Sequence, residues 1–219
     1  MTAYLAWNKK TITDFSDANL NSLYNEGYVF TRLGRGVMHQ TRGLRVDLAQ
    51  FEMSSENRRI LRKIADCRLQ IADLPYENYH WRIGKLAKDF YTEKFGDKTF
   101  SANKTKVLFT GNSNNFNRFF IYSLNDETAG YCIATATDEI IHYAYPFYNL
   151  KSEIRNLGLG MMLLAIIYAK EHGKKYIYLG SAQRPTDTYK LQFEGLEWFD
   201  GKDWKNDTKE LKNLLIEHG

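Results

Sequence analysis

The stretch RNLGLGMMLLAIIYAKEHGKKYIYLG, residues 155–180, decides the predicted fold. The glycines of its LGLG segment leave room for a ligand near the main chain, and a helix that begins there directs unpaired N–H groups and its positive dipole end toward that ligand. Residues 161–169 are apolar on all sides, as expected for a helix between a sheet and further structure. Gly173 ends the helix, and residues 176–179 form a short apolar strand. We therefore predict an anion-binding turn, a buried helix and a buried strand.

The pattern Arg155-x-x-Gly158-x-Gly160 resembles the pyrophosphate loop of the GNAT acyltransferases, in which the start of a helix holds the phosphates of acetyl-CoA. The resemblance implies an α/β (α+β) GNAT-like acyltransferase fold, with a central mixed, mostly antiparallel sheet and flanking helices. It also implies a donor-binding segment composed of Arg155, Leu157, Gly158, Leu159 and Gly160. The alternative is a tight turn without a ligand, because a Gly-x-Gly before a helix is weakly specific.

A second resemblance covers residues 178–198, YLGSAQRPTDTYKLQFEGLEW. The protein arginyltransferases and their bacterial leucyl relatives, which use aminoacyl-tRNA, carry a similar Tyr-Leu-Gly, a Tyr-Lys pair, and then a Phe, a Glu and a Trp. The matching residues are Tyr178, Leu179, Gly180, Tyr189, Lys190, Phe193, Glu197 and Trp198 or Trp204. The resemblance implies that Tyr189 and Lys190 are catalytic residues at the donor pocket, where the ammonium binds a phosphate of the terminal adenosine or a carbonyl. A surface lysine with a solvated ammonium is the alternative.

Three side chains of a predicted strand, His142, Tyr145 and Tyr148, lead into the same turn. On the GNAT resemblance the end of this strand is where donor and acceptor meet. Tyr145 is therefore a candidate catalytic residue, and His142 and Tyr148 are candidate substrate contacts. Glu197 is a further candidate, as a contact to the amino group of the donor. Core packing is the alternative for the strand residues, and an ordinary salt bridge is the alternative for Glu197.

The composition predicts a globular protein. With 219 residues, of which 43% are hydrophobic and 15% aromatic, the chain is long enough to bury a substantial core. We expect a single GNAT-like catalytic unit over residues 1–219; the alternative is a basic N-terminal lobe over 1–75 and an acyltransferase core over 76–219. No stretch has the length of a signal peptide or a membrane span, so a cytoplasmic protein is expected.

The two cysteines, Cys67 and Cys132, lack the paired spacing of a zinc site, an iron–sulfur cluster or a disulfide framework. We predict buried, inert thiols and neither a metal nor a bound cofactor. Many protein arginyltransferases carry an N-terminal cysteine cluster. This chain departs from them, so metal-linked regulation is not expected here.

Positive charge is concentrated in residues 28–68, which hold nine cations and four anions, whereas the whole chain has a formal charge of +4. Eight of the nine cations are arginines, whose planar guanidinium suits phosphate oxygens. Ser54 and Glu56 are typical of a helix start, and the following helix places its cations on one side and its apolar residues on the other. The cations are Arg58, Arg59, Arg62 and Lys63.

This basic helix face is a candidate tRNA-binding surface. The segment FEMSSENRRILRK, residues 51–63, resembles a Phe-x-x-Ser-x-x-x-Arg-Arg segment of the protein arginyltransferases, in register at Phe51, Ser54, Arg58 and Arg59. The alternative is a solvated outer face, which is the usual position of helical charges.

The remaining pattern predicts strands over 28–32, 44–51, 68–74, 116–124, 129–137 and 139–145, and helices ending at Tyr24 and over 77–95, 103–109 and 205–218. The last three strands form an antiparallel meander, and residues 139–180 form a β-α-β crossover. Trp81 is expected in the core. The loop between the first two strands carries Arg35, His39, Gln40 and Arg42, which suits a ligand or a nucleic acid, or else a solvated hairpin.

These features support three hypotheses on function. The first is an aminoacyltransferase that uses aminoacyl-tRNA as donor substrate, with tRNA and the N-terminus of a protein or peptide as partners. The second is a GNAT N-acetyltransferase that uses acetyl-CoA. The third is a non-catalytic module that binds RNA or a peptide.

Overall fold

The computed structural model describes residues 4–97, 99–111, 114–125, 127–152 and 154–217. In chain order, the strands are β1 Asn8–Thr11, β2 Tyr28–Phe30, β3 Val37–Gln40, β4 Gly43–Asp47, β5 Cys67–Asp73, β6 Arg118–Leu124, β7 Glu127–Ala136, β8 Ile140–Tyr148, β9 Tyr176–Ser181, β10 Leu196–Phe199 and β11 Trp204–Lys205. The helices are α1 Asp17–Asn25, α2 Ser55–Lys63, α3 Trp81–Phe95, α4 Ala102–Thr110, α5 Leu157–Glu171 and α6 Thr208–Glu217, with a 3₁₀ helix at Pro185–Gln192.

The strands form two sheets. The large sheet has eight strands in the order β11-β10-β4-β9-β8-β7-β6-β5, and the small sheet has the order β1-β3-β2. All neighbours in the large sheet are antiparallel except β8 and β9, which are parallel and are joined by α5. The predicted meander, the β-α-β crossover and the mixed, mostly antiparallel sheet are confirmed.

Helices cover both faces of the large sheet. Because successive side chains of a strand point to opposite faces, neighbours such as Phe119 and Phe120 enter different cores. On one face α2, α5 and α6 pack over Phe120, and on the other α1, α3 and α4 pack over Phe119. The apolar helix of the quoted stretch is confirmed as the centre of the first core, because Met161, Leu163 and Ile166 have no exposed surface.

The start of α2 forms as predicted. The hydroxyl of Ser54 accepts the N–H of Asn57, and the side-chain oxygen of Asn57 accepts the N–H of Ser54. This reciprocal pair fixes the first turn of the helix. Ile60 and Ile64 then point into the core, so the basic side of the helix faces outward.

Three predictions of local structure are wrong. Trp81 is 62% exposed, because α3 begins at this residue and buries the face that carries Phe90 instead. His39 and Gln40 lie on β3 rather than in a loop, and they pair with β1 and β2. Cys67 is half-buried on the edge strand β5, although Cys132 is fully buried as predicted. Burial raises the pKa of both thiols.

In the described ranges, no helix combines the length and the apolar character that crossing a bilayer requires.

Candidate active site

An opening between β8 and β9 is the centre of the candidate site. The two parallel strands pair only at Ile140–His142 and Tyr176–Tyr178. Beyond this point β8 continues to Tyr148 beside β7, and β9 continues to Ser181 beside β4. The strands therefore separate at their carboxyl ends, close in sequence to the start of α5. Ligands of β-α-β units bind in this position.

Lys190 reaches the β9 side of the opening from the 3₁₀ helix. Its Nζ donates a hydrogen bond to the carbonyl oxygen of Ser181 over 3.1 Å. Burial lowers the pKa of Lys190, Arg184 lowers it further, and the Asp187 carboxylate acts in the opposite direction. Asp187 itself is buried, and its Oδ2 accepts the N–H groups of Gln183 and Arg184, which fixes the loop that carries the lysine.

His142 lies at the last paired position of β8 and is only 3% exposed. Its Nδ1 is 2.9 Å from the hydroxyl of Tyr24, a residue of α1. Burial, with a smaller contribution from the Lys190 ammonium, lowers the pKa of His142 to about 3. The imidazole is therefore neutral at physiological pH and is held in one orientation by Tyr24. No motif in the sequence indicates Tyr24, because this residue lies in a polar segment.

Tyr145 is part of an aromatic group on the same face of the sheet as Tyr24. Its ring stacks on Phe100 at 6.0 Å and meets the ring of Phe116 edge-on at 5.4 Å. Burial raises the pKa of Tyr145 to about 12, so its phenol stays protonated at neutral pH. Tyr189, which was also predicted to be catalytic, is 45% exposed.

Protein side chains cover the start of α5. A Cβ added at Gly158 would lie 2.5 Å from Cε1 of Tyr148, and one added at Gly160 would lie 2.7 Å from Cδ1 of Ile64. Side-chain packing therefore accounts for both glycines in this structure. The ring of Tyr148 also packs on Phe90 at 4.8 Å, so its place over the helix start is supported by α3.

The main chain at this helix start is partly paired. Asn156 has a left-handed conformation with φ 69°, and its carbonyl oxygen accepts the N–H groups of both Leu159 and Gly160 at 3.0 Å. The N–H of Gly158 has no backbone acceptor among the described residues. Leu157 is buried, whereas Arg155 is exposed. Fewer free N–H groups are present at this turn than the sequence pattern predicts.

Glu197 forms a salt bridge with a buried arginine. The two residues are directly opposite on β10 and β4, and Nε of Arg45 is 2.6 Å from Oε2 of Glu197. The guanidinium of Arg45 lies between the rings of Tyr176 and Trp204, at 3.9 and 4.0 Å, and it also donates to Asn25 over 2.9 Å. This geometry matches the salt-bridge alternative for Glu197.

The four cations of α2 are all exposed. Arg59 forms a bidentate pair with Glu56, with both N–O distances at 2.8 Å, and Arg58 donates to the carbonyl oxygen of Met53. Neither Arg62 nor Lys63 makes a hydrogen bond or an ion pair with any residue that the structure describes. These two cations therefore have no partner in the described ranges, whereas Arg59 is paired with a carboxylate and Arg58 with a neutral carbonyl.

Residues 73–200 match the family model described as arginine-tRNA-protein transferase, C terminus. The chain belongs to this family. The matched residues begin at the end of β5 and include the opening, α5, the 3₁₀ helix and β10, whereas α2 lies outside them.

Two curated relatives are aspartate/glutamate leucyltransferases. The protein from Halorhodospira halophila is 33% identical over 90 residues, which cover 38% of each chain. The protein from Dinoroseobacter shibae is 33% identical over 79 residues, which cover 35% of this chain and 28% of the relative. The similarity thus spans less than two-fifths of the length of either relative.

Solved structures of similar shape include L-PGS from Bacillus licheniformis, with a TM-score of 0.48, 13% identity, and coverage of 75% of this chain and 52% of that one. FemX has a TM-score of 0.45 and 11% identity, with coverage of 75% of this chain and 60% of that one. At these scores neither structure informs the activity of this arginine-tRNA-protein transferase family member.

Proposed function

We propose that this protein transfers an amino acid from aminoacyl-tRNA to the amino group of an acceptor protein or peptide. The observation that supports this most strongly is the Lys190 ammonium at the strand opening of a chain that belongs to the arginine-tRNA-protein transferase family. We further propose that the chain acts as one catalytic unit, because β4 lies between β9 and β10 in the large sheet. Charged tRNA is a cytosolic molecule, so the proposal places the reaction in the cytoplasm.

The reaction needs no covalent intermediate with the protein. The lone pair of the acceptor nitrogen attacks the ester carbonyl carbon, a C–N bond forms, and the ester C–O bond breaks. The amine gives up one proton, and the terminal ribose oxygen takes up one as it leaves. An α-amino group titrates near ~8, so solvent is a sufficient base, and placing the two reactants contributes most of the rate.

In this proposal Lys190 supplies positive charge to the oxygen that becomes negative in the tetrahedral intermediate, or to the phosphate beside it. A fixed charge in a water-poor opening stabilises such a state more than solvent does. His142 is neutral and bonded to Tyr24, so its role is to shape the wall of the opening rather than to accept the proton.

The names of the two relatives suggest the first substrates to test, namely leucyl-tRNA as donor and an N-terminal Asp or Glu as acceptor. Arginyl-tRNA is the second donor to test, because of the description of the family. Mass spectrometry of peptides that begin with Asp, Glu or Ala would detect the added residue. If no peptide gains a residue from either charged tRNA, the proposed function is wrong.

Acetyl-CoA is the alternative donor, suggested by the Gly158-x-Gly160 pattern. Packing against Tyr148 and Ile64 accounts for both glycines without a ligand, which weakens this alternative. A thermal shift with millimolar CoA distinguishes the two donors, because a ligand at a hundred times its Kd stabilises a protein by about 2.7 kcal/mol. We expect no shift.

The first prediction concerns Arg62 and Lys63, the two cations of α2 that have no hydrogen-bond or ion-pair partner in the described ranges. Replacing Arg62 and Lys63 with Gln should reduce the slope of log affinity for tRNA against log salt by roughly two, because each cation releases about one counterion from a phosphate. Binding measured between low and moderate salt would test this. The matched control is Lys104→Gln with Lys106→Gln, two exposed cations on α4. An equal change in both double variants would mean that α2 contributes only general charge.

The second prediction tests whether Gly158 serves only to pack against Tyr148 or also lets the donor approach the main chain. A methyl group in Gly158→Ala would overlap the ring of Tyr148, so we expect a loss of stability of about 1–3 kcal/mol and a loss of transfer. Adding Tyr148→Ala removes the overlap, and the double variant should have the stability of the Tyr148→Ala single variant. If the donor approaches the main chain at this glycine, transfer stays low in the double variant. Full transfer activity there would limit Gly158 to packing.

A further inference from the structure

A column of aromatic rings leads from the protein surface to the opening. Phe95, the last residue of α3, stacks on Tyr91 at 5.7 Å with an interplanar angle of 27°. Tyr91 contacts Phe100 at 4.8 Å, and Phe100 stacks on Tyr145 of β8 at 6.0 Å with an angle of 15°. Tyr91 and Phe100 are buried, whereas Phe95 is 40% exposed. The column therefore has an outer end at Phe95 and an inner end at Tyr145.

Two arginines lie against this column. Cζ of Arg184 is 4.7 Å from the centroid of the Phe95 ring, and Arg184 is exposed. Cζ of Arg32 is 4.9 Å from the centroid of Phe100, and its Nη2 donates to the carbonyl oxygen of Thr99 over 2.7 Å. In the described part of the chain Arg184 has no salt bridge, so its charge is available to a ligand.

An unpaired nucleotide fits this outer end by its chemistry. Nucleobases stack on aromatic rings and on guanidinium planes, and the phosphates that join them are attracted by the same arginines. An acidic peptide would use the charge of Arg184 but would not stack on the face of the Phe95 ring. The carboxylate of Asp187 is buried and bonded to two main-chain N–H groups, and in the described ranges it forms no ion pair with Arg184.

We infer that Phe95 and Arg184, with the exposed ring of Tyr189 on the adjoining 3₁₀ helix, form a stacking platform for unpaired nucleotides, such as those at the 3′ end of a tRNA. The inference rests on the proposed function, since the platform would guide the end that carries the ester toward Lys190. It is distinct from the basic face of α2, which suits the phosphates of a duplex.

The test uses two RNA probes with the same number of phosphates: a short single strand ending in CCA and a blunt hairpin. Phe95→Leu and Arg184→Lys should each weaken binding of the single strand by about ten-fold, because a stacking partner is lost, and should leave hairpin binding unchanged. Arg184→Lys keeps the positive charge but removes the planar guanidinium, so the salt dependence of binding should stay the same.

Helix α3 offers a matched control at its other end, where Arg82 lies 5.9 Å from the ring of the exposed Trp81. The two ends are about 21 Å apart at 1.5 Å per residue. Trp81→Leu and Arg82→Lys should leave binding of the single strand unchanged. The inference is overturned if these variants weaken it as much as Phe95→Leu does, or if Phe95→Leu and Arg184→Lys have no effect. It is also overturned if Phe95→Leu and Arg184→Lys raise only the KM of the acceptor peptide, because the platform would then bind the peptide.

The transfer assay keeps this inference separate from the proposed function. If the wild type binds the single strand through Phe95 and Arg184 but transfers no amino acid from any charged tRNA, the proposed function fails and the platform stands. If the wild type transfers an amino acid and both platform variants bind and transfer equally well, the platform fails and the function stands.

Discussion

Replacing Lys190 with Met is expected to lower the rate of transfer by roughly a hundred-fold or more, because it removes the charge proposed to stabilise the tetrahedral intermediate. The same change should leave the protein at least as stable as the wild type. Burial lowers the pKa of Lys190, which means that the folded chain disfavours the ammonium relative to water. Met has a similar length and no charge, so it fits the same space without that penalty.

The pH dependence follows from the direction of this pKa. The pKa of Lys190 lies below its ordinary value of 10.5, so the unfolded chain holds the proton to a higher pH than the folded chain. The free energy of unfolding of the wild type should therefore increase as the pH rises from the lowered pKa of Lys190 toward 10.5, because the unfolded chain then holds more protons than the folded chain. The rate of transfer should decrease over the same pH range, because Lys190 loses the proton that makes it an ammonium. In Lys190→Met neither change should occur.

Lys174 provides the matched control, because its Nζ also donates to a main-chain carbonyl, that of Thr137, over 2.6 Å at the opposite end of α5. Lys174→Met should keep full transfer activity. Single-turnover rates and thermal melts of both variants would test the expectation. A wild-type rate that rises with pH where Lys190 loses its proton would contradict it, since Lys190 would then act as a base.

The sequence predicts those parts of the fold that local pattern determines. The capped, amphipathic α2 and the meander of β6, β7 and β8 each have a periodicity typical of one type of element, and the α5 stretch is an apolar run too long for a strand. The insertion of β4 between β9 and β10 was not predicted, because it depends on partners more than a hundred residues away. Residues 28–51 were predicted to form two strands joined by one loop, whereas they contribute strands to two different sheets.

The sequence names candidate residues for the site but does not predict their contacts. The family resemblance implies that Lys190 lies at the donor pocket, and the predicted strand over 139–145 leads His142 and Tyr145 toward the turn before α5. No motif indicates that Tyr24 holds His142 or that the ring of Tyr148 covers Gly158. Such contacts arise between side chains that are distant in sequence, and a glycine that accommodates a ring has the same sequence signal as one that accommodates a ligand.

Replacing Glu197 with Leu is expected to destabilise the protein by about 3–5 kcal/mol, because it leaves the buried guanidinium of Arg45 without its carboxylate. The double variant Arg45→Met with Glu197→Leu should recover most of that loss, since neither charge remains. Urea unfolding measures both values. Glu210→Leu is the control, because its ion pair with Lys205 is exposed and contributes little to stability.

The same series decides whether Glu197 binds substrate. Glu197→Gln keeps the shape and can still accept one hydrogen bond from Arg45, but it can no longer bind an ammonium by charge. If Glu197 contacts only Arg45, Glu197→Gln should have a lower free energy of unfolding and an unchanged KM for the charged donor, because the weakened interaction lies within the protein. If it anchors the amino group of the donor, the KM should rise while the free energy of unfolding is unchanged. The geometry supports the first outcome, since Oε2 lies 2.6 Å from Nε of an arginine whose other sides are covered by Tyr176 and Trp204.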